Sequence, residues 1–559
     1  MIKRLLHCTL VSILILGSAT LKAQNASNPE DKWGSLTGTA GFDAQYYNKD
    51  PKIGAPVVPD KFRMNSFIFL MYKKGGFNAG LRYESYLPKP LLGFDNRWEG
   101  QGVAFRWAEY KYKTLQVTAG SFYEQFGNGL ILRSYEARAL GFDNFIDGFR
   151  VKYSVKGIHI KGLIGKKRFF WTRTFDIPST IRGLDAEINF NEMFPKMEKT
   201  KVNLIIGGSF VSRYQQGGTI QVGNNFQAIL PENVAAYSGR ANLSIGKFSL
   251  IGEFAWKIND PTAVNRYIYK SGNATLITAN FSTTNFGMSL GAKRVDNMAF
   301  YSDRTGNAPV QFINWIPMLN KQHTYTLPAT IYPYAVQYNG ENGLQADINF
   351  TVPRGSKLGG KYGIDVNING SVVYGLDTTA RTGLYGYHSK AFGFGNLFYR
   401  DINVELSKKF NKKWKLNLML MNLYANLDVV QVSTLGKDRF VNAYIGVTDL
   451  TWRINTSHAI RVEFQTLYTK QDQGSWMMNL IEYTYAPNWF VSFMNQFNYG
   501  HPDPAKRLHY PMVAGGYNMG NHRFQLSYGR QRAGILCIGG VCRNVPAANG
   551  LTVSYIGSF

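Results

Sequence analysis

Three cysteines in 559 residues exclude a disulfide scaffold or a zinc-ribbon architecture. Charged residues are sparse at 18%, and prolines number only 20. Beyond the N-terminus no apolar run is long enough for a membrane-crossing helix, which excludes a helical membrane protein. What is abundant points elsewhere. Aromatics make up 14% of the chain (37 Phe, 34 Tyr, 10 Trp) and glycine numbers 57, without a Gly-X-Y period. That content excludes intrinsic disorder and collagen and leaves a large, glycine-rich β-protein.

Met1-Ile-Lys-Arg followed by the apolar stretch Leu5 to Leu16 and by Leu21-Lys22-Ala23 reads as a cleaved export leader over residues 1–23. A short periplasmic segment, 24–32, would then precede a single domain, 33–559, with no plug domain before it and nothing appended after Phe559. Cys8 lies inside the apolar stretch, so no lipoprotein acceptor is expected. Export places Cys537 and Cys542 in an oxidising compartment.

From Leu36 the even positions read Leu, Gly, Ala, Phe, Ala, Tyr while the odd ones stay small or polar. Such period-two alternation gives one greasy and one wet strand face. It recurs at Phe149 to Val155, Val202 to Phe210, Leu344 to Phe350, Ile460 to Phe464 and Leu551 to Tyr555. Two-residue turns at Lys156-Gly157 and Gly246-Lys247 set registers that place apolar residues opposite one another, Tyr153 with Ile160 and Tyr237 with Trp256. Arg240 then falls opposite Glu253 as a structural pair. Short connections alternate with long ones near 49–62, 124–147, 214–233, 297–330 and 375–397. Together these features predict an all-β chain: one transmembrane antiparallel barrel of about 24 strands, with short periplasmic turns and long extracellular loops. The terminal alternation ending at Phe559 looks like the signal read by the barrel-assembly machinery.

Ser121-Phe-Tyr-Glu-Gln-Phe-Gly-Asn-Gly-Leu-Ile-Leu-Arg133-Ser-Tyr-Glu136, Gly141-Phe-Asp143-Asn and Asp147-Gly148 form one distinctive tract. Lys293-Arg-Val-Asp-Asn-Met298, Ser302-Asp-Arg304 and Gly340-Glu-Asn-Gly-Leu-Gln-Ala-Asp347 form others. Over most of its length the chain resembles an uncharacterised family of Bacteroidota outer-membrane barrels, a domain-of-unknown-function family. The resemblance implies location and fold and carries no ligand or catalytic residue.

No catalytic constellation is visible, so no enzymatic activity, cofactor or metal is expected. The eight histidines are scattered and none has metal-ligand spacing with a second His, Cys or carboxylate. Gly127-Asn-Gly129 lies in strand-and-loop context and is not a phosphate cradle. The net charge of +26 brings no nucleic-acid motif with it, so the expected partners are membrane lipid, lipopolysaccharide phosphates and small solutes.

Parity suggests two lumen patches. The basic one sets Lys152 opposite Lys161, with Arg150 and His159 beside them and Arg82, Arg106 and Arg182 extending the wall. Like charges placed directly opposite destabilise a strand pair unless water screens them or an anion bridges them. The acidic-amide patch comprises Asp347, Asn349, Asp365, Asn367, Asn369, Asp401, Asn403 and Glu405, which could grip sugar hydroxyls or a cation or merely hydrogen-bond across the wall. Segment 124–147, with Arg133, Glu136, Arg138, Asp143 and Asp147 among apolar residues, could fold inward as a constriction or pack outside. Segment 297–330 could form a lid.

The leading expectation is a passive or loop-gated path for small polar solutes, anionic ones included, with chloride passing more readily than potassium. The rival is a non-conducting structural or assembly component whose barrel is closed by its loops. A narrower expectation concerns Cys537-Ile-Gly-Gly-Val-Cys542. Gly539-Gly540 is a favoured hairpin turn that sets the two cysteines directly across from each other. They should form an extracellular disulfide, so both should resist iodoacetamide until a reductant is added; alkylation without reduction would contradict the pairing.

Overall fold

The computed structural model describes residues 33–171, 176–222, 226–381, 385–430, 438–538 and 541–559. The proposed leader, the segment 24–32 and the Gly539-Gly540 turn lie outside the described residues. Twenty-four strands form one antiparallel sheet that begins with Ser35–Tyr47 and ends with Ala548–Ser558. These two strands pair with each other, Phe42 opposite Tyr555, and so close the sheet into a barrel. Each strand's barrel neighbours are the strands before and after it in the chain, and short two-stranded hairpins sit in the loops.

The pairing follows the alternation. Tyr153 faces Ile160 and Phe149 faces Ile164, and Tyr237 faces Trp256. At the two-residue turn between Ile146–Val155 and Ile158–Lys167, Lys156 and Gly157 both have positive φ, 45° and 79°, the geometry that keeps the flanking strands twisted together. The exterior is a band of exposed apolar side chains, among them Leu420 (70%) and Tyr444 (63%). An edgeless barrel with such an exterior satisfies every backbone ladder internally, so it is a membrane-spanning barrel of the outer-membrane type.

Connections at one end are short, as at 246–247, or compact, as at 190–201, where two short helices fill the turn. At the other end they are long. One expected loop is shorter than its composition suggested. The connection in 375–397 is confined to 381–386, because Ile364–Ala380 and Tyr387–Lys409 continue as a ladder with register shifts beyond Val373.

The core is inside the barrel. Phe126, Leu130, Ile131 and Leu132 of loop 123–145 are fully buried, as are Ile313, Ile316 and Leu327 of loop 297–339. They form one apolar cluster with inward residues of the wall: Val211, Ala236, Ala255 and Ala274 on one side, Met419, Met421, Leu423, Ala443 and Ile445 on the other. Both loops therefore fold inward. Small wall residues at 236, 255 and 274 leave room for the loops. Replacing Ala255 with Phe should overpack this seam by about 1–3 kcal/mol. The barrel should still form, and limited proteolysis should then cut within 297–339; an uncut loop would show that Ala255 does not set its fit.

Candidate functional site

The loops are tied together and then to the wall. Between the loops, the Arg133 N–H donates to the Ile313 carbonyl and the Trp315 N–H to the Gly129 carbonyl, each at 2.9 Å. The Asn314 amide donates to the Leu130 (3.1 Å) and Met298 (2.8 Å) carbonyls. The Arg133 guanidinium lies over the Trp315 ring, 4.0 Å from its centroid.

To the wall, inward cations near the long-loop ends of four strands each donate to a carbonyl of loop 297–339. Lys167 reaches Phe312, Arg213 reaches Tyr301 (2.8 Å), Lys257 reaches Ala299 (2.5 Å) and Lys293 reaches Pro317 (2.6 Å). In return, Arg304 of the loop donates to the Gln215 and Pro231 carbonyls, both at 2.9 Å. Hydrogen bonds with a charged partner contribute about 1.5–3 kcal/mol each, more than neutral ones. Carboxylates offset much of the buried charge: Asp260 pairs with Arg213 (2.7 Å) and Lys257 (3.3 Å), and Glu341 with Lys293. Burial alone would raise the Asp260 carboxyl, but Arg213 and Lys257 outweigh it and hold it below the ordinary carboxylate range.

The basic patch divides. Lys152 and Lys161 face one another as expected, and an anion does bridge them, but it belongs to the chain. Glu124 of loop 123–145 reaches Lys152 at 2.9 Å, Lys161 at 3.4 Å and Arg150 at 3.1 Å. His159 lies near the short-turn end against Glu192, 3.2 Å away. Arg82 is buried with Glu84, Glu136, Asp143 and Arg168. Among the described residues those three carboxylates are close enough together to share a cation, and two guanidiniums fill that role. Arg138 pairs with Glu136 at 2.7 Å. The expected bare positive wall is thus largely neutralised from within.

Two of its members are not in the lumen at all. Arg106 stands opposite outward-facing Leu81 and continues the outward Tyr110/Tyr112 face; a register shift between Arg82 and Tyr83 reverses the parity only beyond it, toward outward Val103. Arg182 stands opposite outward-facing Ile164 and continues the Leu184/Ile188 face, so alternation itself points it out. Asp147, assigned to the constriction loop, belongs to the strand Ile146–Val155 and shares the outward face of Phe149. Arg240 does stand opposite Glu253 but reaches instead to Asp185 (2.9 Å) and Glu187 (2.9 Å). Glu253 accepts from the Asn128 backbone at 2.6 Å. Gly127 must be small there: a Cβ would sit 2.6 Å from the Glu253 carboxylate.

The acidic-amide patch assembles as one inner surface. Asn367 donates to Asp347 (3.2 Å) and Asn349 (2.6 Å), Asn369 to Asp347 (3.1 Å), and Asn403 to Asp401 (2.8 Å). Loop 297–339 covers part of it: Lys321 meets Glu405 at 3.0 Å and His323 meets Asp401 at 2.6 Å. Below the loops Asp365, Asn367, Glu405 and Asn417 line a cavity of about 590 Å³. An adjoining cavity of about 610 Å³, with Lys409 and Lys415, reaches the short-turn rim at Asn285 and Arg354.

Sequence reasoning missed Glu124, the four clamping cations and the greasy inner wall. A signal for the wall was present: Met419, Met421 and Leu423 occupy positions where alternation with Leu418 and Leu420 calls for polar, lumen-facing residues.

The geometry defines a class: a transmembrane β-barrel whose long-loop half is filled by its own loops. The chain belongs to the family described as "Family of unknown function (DUF6029)", whose model matches residues 1–559. No curated protein sequence matches it. Among solved structures it is similar to the P pilus usher (PapC) translocation pore, at 9% identity and TM-score 0.41, over 94% of this chain and 99% of that one. The outer membrane protein opdK from Pseudomonas aeruginosa aligns at 10% identity and TM-score 0.36, over 82% and 99%. The siderophore receptor PirA from Pseudomonas aeruginosa aligns at 9% and 0.39, over 95% and 81%.

The clamp around Asp260 has a pH signature. Because its folded pKa is depressed, its stabilisation is present above the unfolded carboxylate value of about 3.9 and lost as pH falls through the lower folded value. Loop 297–339 should thus become protease-sensitive only in strong acid. Asp260→Asn should cost about 3–5 kcal/mol at neutral pH by leaving Arg213 and Lys257 uncompensated. A denaturation midpoint unchanged by Asp260→Asn would remove Asp260 from this role.

Proposed function

We propose that this protein is a non-enzymatic outer-membrane barrel, closed at rest by loops 123–145 and 297–339, which passes small polar solutes only when loop 297–339 leaves the lumen. The observation that carries this reading is the clamping of that loop by Lys167, Arg213, Lys257 and Lys293. The clamp is polar and, like the loop's apolar contacts with the wall, involves side chains and loop carbonyls only, so both can part without unfolding the wall ladders. The polar chamber under the loops, lined by Asp365, Asn367 and Glu405 with Lys409 and Lys415 nearer the rim, supports a path for hydrophilic solutes from the short-turn side. Neutralisation of Lys152 and Lys161 by Glu124 argues against those lysines as a source of anion preference.

A second reading has its own support. The apolar inner surface around Met419, Met421 and Ile445 is dressed for permanent cover, as in a structural component that never conducts. Planar-bilayer recording separates the two. The wild-type barrel should be silent at low voltage, and replacing residues 299–336 with a short Gly-Ser linker should give stepwise openings. Steady large openings in the wild type would overturn closure at rest. Lys257→Ala with Lys293→Ala should yield intermittent openings on the gated reading; a folded variant that stays silent at every voltage would favour permanent closure.

A further inference from the structure

The outer face carries cations that closure of the lumen does not use. Arg106, Lys166 and Arg182 point outward on Gly100–Tyr112, Ile158–Lys167 and Ser179–Asn189. Pairings run from Gly100–Tyr112 through Leu115–Phe122 and Ile146–Val155 to Ile158–Lys167 and Ser179–Asn189, so at about 4.8 Å per strand the patch is about 19 Å wide from Arg106 to Arg182. Asp147 stands opposite Lys166 and lies 3.5 Å from Arg106. Lys166 also donates to the Ile177 carbonyl at 2.9 Å, and these four side chains, three cations and Asp147, sum to a positive charge.

Its exposure suits a ligand. The Arg106 side chain is 63% exposed. Arg182 is exposed too, with the Tyr214 ring 5.9 Å away and no ion-pair partner among the described residues. Two residues along each strand toward the short-turn end, about 7 Å, the same face turns apolar and bare. Phe149 is 56% exposed, Ile164 48% and Leu184 52%. A guanidinium directed at lipid is destabilising deep in the bilayer and tolerated near its surface, where headgroups begin. Elsewhere the long-loop side of the lipid band presents aromatics such as Tyr237, Tyr444 and Tyr468, with single outward arginines at Arg294 and Arg400. Here it presents charge.

We propose that these cations bind the phosphates of an anionic lipid of the outer leaflet, Arg106 at one end of the patch and Lys166 with Arg182 at the other, with its acyl chains along Phe149, Ile164 and Leu184. The two arginines offer forked donors matched to phosphate oxygens, and Lys166 adds a point charge. The apolar surface directly below the cations favours a lipid phosphate over a free one. This site does not depend on whether the lumen opens.

Native mass spectrometry of the full chain in detergent would test it, with bisphosphorylated lipid A, dephosphorylated lipid A or inorganic phosphate added in turn. The wild type should retain the bisphosphorylated lipid and lose the dephosphorylated one, a comparison that needs no variant. Arg106→Gln with Arg182→Gln should weaken retention roughly fivefold per charge removed. Lys409→Gln with Lys415→Gln removes the same charge from the lumen and should leave retention unchanged. Equal retention of the two lipids would overturn the proposal, as would displacement of the lipid by millimolar phosphate. So would a wild-type dimer that excludes lipid and dissociates in the double arginine variant, since a second copy would then cover this face.

Discussion

The structure turns on the burial of wall cations beneath backbone carbonyls. Lys167, Arg213 and Lys257 are wholly buried, and an uncompensated charge in such a place is strongly destabilising. Each is met by a carbonyl of loop 297–339, and Asp260 offsets the charge of Arg213 and Lys257, as Glu341 does that of Lys293. The dependence runs both ways. Without the loop the cations would face an open lumen, and without the cations the loop would have unpaired carbonyls against a barrel wall. Everything else in the lumen, from the Arg133–Trp315 contact to the cover over Asp401, follows from the loop being held there.

This arrangement recasts the high net positive charge. An inward-facing Lys or Arg reads, from sequence, as a surface offered to solutes. In the folded chain most such groups near the long-loop end are internal fittings: Arg82 and Arg168 bind three carboxylates, and Arg150, Lys152 and Lys161 converge on Glu124. The tracts that carry the family resemblance lie at these fittings. Ser121–Glu136 supplies Glu124 and the first loop's core, Lys293–Met298 supplies a clamp, and Arg304 and Glu341 complete the seam.

The barrel was legible in the sequence because its rule is local. Alternation and two-residue turns fix which residues pair, and Lys152 opposite Lys161 needed nothing more. Reading failed where something nonlocal or irregular intervened. A register shift reverses the parity of Gly100–Tyr112 between Arg106 and Val103. A count from Val103 therefore puts Arg106 inside, although Tyr110 and Tyr112, alternating with Glu109 and Lys111, set it outside. Arg182 was misplaced for a different reason: its charge suggested water, while its neighbours Leu184 and Ile188 already set its face. Glu124 lies in the loop and its three partners on the wall, which only tertiary structure brings together.

The two-faced strands have a consequence for assembly. In Trp414–Asn426 the outward Leu418 and Leu420 alternate with inward Met419 and Met421, so over that stretch hydrophobicity does not distinguish inside from outside. A strand with two greasy faces has no intrinsic preference for which one meets lipid, and a slip of one residue would carry little solvation penalty. Loop 297–339 precedes this strand in the chain and supplies the apolar partner that only one of its faces can reach. With the loop in the lumen, the face carrying Met419 and Met421 is the one that gains an apolar protein partner, and that contact is what separates the two greasy faces.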